Sequence, residues 1–90
     1  MIIKNWYITG KNVMPLISPE EKRIYINGKV YGSNRFEEGK FIKTSHIVCA
    51  RNNEIQTKNK HVYELGEANS EYEEEYPNAI ERLMDRGYIK

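Results

Sequence analysis

The sequence predicts a mainly β fold of the α+β class: a small antiparallel sheet or open barrel of five to six strands, followed by one C-terminal helix. Three observations carry this expectation. Short runs rich in Ile, Val, Tyr and Thr recur between Gly, Asn and Pro punctuation from Ile2 to Leu65. Asn27–Gly28 stands between two such runs, and that pair is favoured in the two-residue type I′ hairpin turn. Beyond Gly66 the spacing of apolar residues changes. Tyr72, Tyr76, Ile80 and Leu83/Met84 recur three or four apart, as on one face of a helix.

The first strand is expected from Ile2 to Thr9, with an imperfect alternation, and is ended by Gly10. Pro15 and Pro19 then mark a loop, because each removes a backbone donor and disfavours helix at the residue before it. One helical turn is expected after Ser18, with Pro19 at its first position. The Asn27–Gly28 turn would pair Ile26 with Lys29, Tyr25 with Val30 and Ile24 with Tyr31. That register places Tyr25 and Tyr31 on opposite faces of the hairpin. A strand from Phe41 to Arg51 follows, then a tight turn at Asn52–Asn53, where asparagine tolerates left-handed geometry. Glu54–Lys58 pairs back on it, and His61–Gly66 forms the last strand.

Residues 1–66 make the β body; residues 67–90 make an acidic lead-in and a helix, all in one domain. Ser70 with Glu73 fits a capping box. Pro77 either kinks the helix or opens a new one, and the preferred main helix runs from Pro77 to Arg86, stopped by Gly87.

Ninety residues suffice for a single small domain. Such a chain buries only roughly 60–65% of its unfolded surface, so homo-oligomerisation would be a natural way to bury more. The lone Cys49 excludes an internal disulfide. Within Ile47–Ala50 it reads as a small core hydrophobe in a reducing compartment, and the expected location is the cytoplasm. No apolar run approaches a membrane span. Charge is uneven. Residues 1–66 carry eleven Lys/Arg against six Glu, a net +5, and residues 67–90 carry three against seven Asp/Glu, a net −4. The basic excess is weak for a dedicated nucleic-acid binder, but a small anion needs only one or two local cations.

No HExxH, CxxC, GxSxG or phosphate-loop pattern is present. His46 and His61 fall in expected strands with nothing to orient a catalytic pair, and Glu71–Glu75 reads as a solvated helix start rather than a metal site. The chain is therefore expected to be no enzyme and to need no cofactor. The informative stretch is Val30–Ile47. Gly32, Ser33 and Asn34 form a bend whose backbone N–H groups and side chains suit an anion. Arg35 adds a planar fork suited to phosphate. Thr44 and Ser45 supply hydroxyls on the returning strand. Tyr31 and Tyr25 offer rings for a base to stack on. Turn chemistry alone accounts for Gly32–Asn34, so the structural reading and the ligand reading both stand.

Gly28–Gly32, Arg35–Gly39, Thr44–Ile47 and Tyr63–Gly66 follow a G-x-V-x-G, R-F-x-x-G, T-S-x-I and Y-x-L-G pattern over residues 28–66. In this the chain resembles short, largely uncharacterised proteins encoded by phages and prophages. The resemblance implies a counter-defence role. One such class, the sponge proteins, sequesters cyclic-nucleotide immune signals in pockets between protomers, and another blocks host nucleases. Three functions are expected in that light: capture of an anionic, nucleotide-like small molecule; inhibition of a host protein through the acidic C-terminal segment; and weak binding of single-stranded nucleic acid.

Overall fold

A computed structural model describes residues 1–10 and 23–86; the expected turn after Ser18 and the stop at Gly87 lie outside them. Strand β1 (Ile2–Thr9) has the span predicted for it. Its imperfect alternation has a structural cause. Lys4 pairs with Lys29 and Tyr7 with Asn27, so Asn5 and Trp6 together oppose Gly28. This is a β-bulge, with Asn5 in the left-handed region at φ 54°. The extra residue resets side-chain parity, and Ile3, Trp6 and Ile8 all reach the core.

The Asn27–Gly28 hairpin does not form. Strand β2 (Tyr25–Tyr31) runs straight through both residues. It pairs antiparallel with β1 on one side and with β3 (Lys40–Lys43) on the other. Two distant contacts override the local turn preference. The buried Asn27 side chain donates from Nδ2 to Thr9 Oγ1 at 2.9 Å. Gly28 lies against the bulge, where a Cβ would come within 2.6 Å of Ile3 Cγ2 and 2.9 Å of the Lys4 carbonyl oxygen. The glycine serves close backbone approach, not a positive φ. Tyr25 and Tyr31 are therefore not on opposite faces of a hairpin. They stand at the two ends of one strand, on the same side by parity and about 20 Å apart.

The type I′ turn is at Asn52–Asn53, with φ 54° and 61°. It joins β4 (Ile47–Arg51) to β5 (Glu54–Thr57) as expected. Strand β6 (Val62–Leu65) pairs antiparallel with β5 and parallel with β1. The six-stranded sheet, in the order β3-β2-β1-β6-β5-β4, is thus mixed rather than antiparallel.

The expected single strand Phe41–Arg51 is in fact β3 and β4, at opposite edges of that sheet. In a flat sheet those edges would lie about 24 Å apart, whereas the four Cα steps from Lys43 to Ile47 reach about 14 Å at most. The sheet must roll to satisfy the link, although no ladder closes it. Thr44–Ser45–His46 is the corner of the roll. The Thr44 N–H donates to the Ile26 carbonyl at 2.8 Å and the Ile47 N–H to the Ile24 carbonyl at 2.9 Å, pinning the corner to the start of β2.

The acidic lead-in is itself a helix, α1 (Ser70–Glu75), so two short helices stand where one was expected. Asn69, not Ser70, is the cap, its Oδ1 accepting from the Tyr72 N–H. Glu73 accepts from the Asn78 N–H at 3.0 Å rather than completing a capping box. Pro77 lies in the break before α2 (Ala79–Arg86), and Tyr76 ahead of it is extended, with φ −129° and ψ 77°. Tyr72, Ala79 and Leu83 enter the core, where Tyr72 meets Trp6. No helix among the described residues is long and apolar enough to cross a membrane.

Candidate anion-binding site

The bend between β2 and β3 satisfies its own backbone. Gly32, at φ 69°, aims its N–H at the Glu38 carboxylate. The Ser33 hydroxyl accepts from the N–H groups of Arg35 at 3.0 Å and Phe36 at 3.3 Å. The Gly39 N–H closes the loop on the Val30 carbonyl at 2.7 Å. The anion suited to this bend is therefore already present as a side chain of the chain itself. Asn34 is exposed at its tip. Arg35 turns back from the bend. Its guanidinium lies 4.7 Å from the Phe36 ring centroid, meets the His61 ring through Nη1, and donates from Nη2 to the Tyr63 hydroxyl at 3.4 Å. Lys40 Nζ shares the same Phe36 ring, 5.9 Å from its centroid.

A second cationic group forms at the 44–46 corner. Lys43 Nζ lies 4.7 Å from the Tyr25 ring centroid. The half-buried His46 ring meets Tyr25 edge-on at 6.3 Å. Burial, then the charges of Lys58 and Arg23, hold the His46 pKa below its ordinary value of 6.5. The β5–β6 turn docks here. The Lys58 N–H donates to the His46 carbonyl at 2.9 Å, and Asn59 Nδ2 donates to Ser45 Oγ at 2.7 Å. Arg23, Lys43 and Lys58 are all exposed. Thr44 lies beneath them, 5% exposed, and its hydroxyl is committed to the fold. It accepts from the Ile26 N–H at 3.1 Å and donates to the Ser45 carbonyl at 2.8 Å.

Of the six predicted residues, the structure thus brings Tyr25 and Ser45 to one corner, with Thr44 as its support. Arg35 stands on the other flank of the β5–β6 turn, and Asn34 is at the exposed tip of the bend, with no hydrogen bond to either cationic group among the described residues. Tyr31 is remote: Lys4 Nζ lies 5.4 Å from its ring centroid, and it lines a hollow of about 220 Å³ with Glu54 and Glu64. Two carboxylates there oppose an anion. A further cleft of about 400 Å³, between the sheet and the helices, is lined by Trp6, Glu67, Glu73 and Ile80 among others, and by none of the predicted residues. Sequence reasoning missed Arg23, Lys43, His46, Lys58 and Asn59. One local signal was available, the lysines on either side of Asn59, in a turn where Gly and Asn are the usual residues.

Among the described residues no group of three or more His, Cys, Asp or Glu side chains is placed to hold a metal ion. The chain matches no family model, no curated protein and no solved structure.

Proposed function

We propose that the chain is a non-catalytic binding protein that captures an anionic, nucleotide-like molecule at the 44–46 corner. One observation carries this reading. Arg23, Lys43 and Lys58 gather around the Tyr25–His46 pair, and none of the three is ion-paired to a carboxylate among the described residues. A phosphate would draw Lys43 off the Tyr25 ring. An exposed cation–π contact is worth about 0.5–1 kcal/mol, and a hydrogen bond to a charged group about 1.5–3 kcal/mol, so the exchange favours the ligand. The vacated ring face then accepts a base, with Ser45 and Asn59 as neighbouring hydrogen-bonding groups. Capture without turnover suits the sponge role, which itself rests on the resemblance alone, and a second copy across the ligand would add cations to it.

The test is isothermal titration with nucleoside monophosphates, cyclic di- and trinucleotides, and ADP-ribose. At least one should bind with micromolar affinity, and the Lys43→Ala/Lys58→Ala pair should abolish it. No heat from any of them overturns the reading. One observation favours a second reading, in which a basic host protein docks on the helices: Glu71, Glu74, Glu75, Glu81 and Asp85 are all exposed there. Reversing those charges should then abolish capture of the partner and leave the titration unchanged.

A further inference from the structure

The β5–β6 turn joins the two cationic groups. On one side Asn59 holds Ser45; two residues on, His61 holds Arg35. Two Cα steps span about 7 Å at most, so the corner and the bend meet at this turn. Each flank repeats one arrangement, a ring under a cation: Tyr25 beneath Lys43 and Phe36 beneath Arg35. Between them the turn presents Lys58 and Lys60, both exposed. The Lys60 N–H donates to the Thr57 carbonyl at 2.8 Å, and the Thr57 N–H to the His61 carbonyl at 3.0 Å, making a three-residue hairpin loop. In such a loop the last residue is left-handed and usually glycine. Here it is Lys60, at φ 67°. A cation at a strained position is a cost the fold alone does not require. On the bend's return Glu38 is turned onto Gly32, and Glu37, two residues from Arg35 and exposed, is the bend's other acidic group.

We infer that Tyr25, Lys43, Lys58, Lys60, Arg35 and Phe36 form one continuous track, and that its ligand is a single-stranded phosphodiester of at least two nucleotides. This rests on the corner reading above and extends it. One ring and its cation would take each nucleotide, and the turn lysines would take the linking phosphate. Stacking on aromatic rings beside a cationic groove is how single strands are held without sequence preference.

Fluorescence anisotropy with thymidine 5′-monophosphate, the linear dithymidylate, a cyclic dinucleotide and an eight-nucleotide oligothymidylate tests the inference. Two linked nucleotides, linear or cyclic, should bind at least ten-fold tighter than one. A gain confined to the cyclic form marks a small-molecule ligand, and a further gain at eight nucleotides marks a nucleic-acid strand. The salt dependence should have a log–log slope of roughly −1.4 or steeper, from two phosphates at about −0.7 each. Arg35→Ala should erase the gain from the second nucleotide. Lys60→Gly removes the strain, so it should raise the Tm while cutting that gain several-fold, which separates lost contact from lost folding. Equal affinity for one and two nucleotides, or full gain in both variants, overturns the track and leaves the corner standing. Absence of binding by every probe removes both.

Discussion

The bend at residues 32–39 and the corner at residues 44–46 are built from similar materials, small polar residues beside cations, and they end in opposite states. The bend's backbone has its own anion, since Glu38 meets the Gly32 N–H. The corner has a cationic rim of Arg23, Lys43 and Lys58, with no carboxylate ion-paired to it among the described residues. A run of turn residues is thus not itself a binding site. Under the proposed function, what distinguishes the corner is cationic charge without a carboxylate partner among the described residues.

The strongest way to break this contrast is to invert the corner. Lys43→Glu with Lys58→Glu should weaken nucleotide binding at least a hundred-fold, because it removes two charge-assisted contacts of about 1.5 kcal/mol each. Titration calorimetry reads the loss, and an unchanged affinity would put the ligand elsewhere. Thr44→Val separates the corner's support from its contacts. It leaves the buried Ile26 N–H without the Thr44 acceptor, so chemical denaturation should show about 1–3 kcal/mol of lost stability. The affinity of the folded fraction should hold; a matching fall in affinity would mean that Thr44 touches the ligand. Glu38→Ala attempts the reverse conversion. It frees the Gly32 N–H at a cost of about 1 kcal/mol, and the Gly32 amide resonance should then move with added phosphate. The same movement in the native chain would show that the bend was never closed.

The smallest effect is set by pH. The His46 pKa is lowered in the fold, first by burial and then by Lys58 and Arg23. The unfolded chain therefore takes up the proton at higher pH than the folded one. The contribution to stability is complete above pH 6.5 and is lost as pH falls from 6.5 through the lowered folded value. A bound phosphate works in the opposite direction by favouring the imidazolium, so affinity should rise across the same window. Thermal melts with and without ligand should converge on neither trend in His46→Gln. If ligand-bound and free chains share one pH slope, His46 does not face the anion.

Local features of the fold were legible where a residue's own backbone decides them. Asn52 and Asn53 turn because both tolerate positive φ and their side chains are exposed. Asn27–Gly28 carries the stronger turn signal and does not turn, because Asn27 bonds Thr9, eighteen residues away, and Gly28 meets a bulge near the start of the chain. Neither contact is visible in a window of ten residues. The break at Thr44 has the same origin, since its hydroxyl answers Ile26. At the candidate site, Tyr25 and Ser45 were found by residue type. Arg23, Lys43 and Lys58 were not, because some fifteen or more positions separate each from the next and only the rolled sheet assembles them. Arg35 was singled out for a phosphate from its chemistry alone; its contact with Tyr63, from the sheet's core, lies twenty-eight positions away and is seen only in the fold.

The parallel ladder between β1 and β6 has a consequence for how the chain reaches this state. Ile2 pairs with Glu64, and Trp6 bridges to Ala68. As the chain emerges during synthesis, β1 waits for its neighbour until some sixty further residues have been made, and the middle of the sheet is completed after its flanks. Hairpins β1–β2 and β4–β5 can form early. Joining them demands a long loop closure, which places the domain among the slower folders for its size. Until then Ile3 and Trp6 stay uncovered on β1, so the interval before β6 arrives is when this protein is most exposed to misassembly.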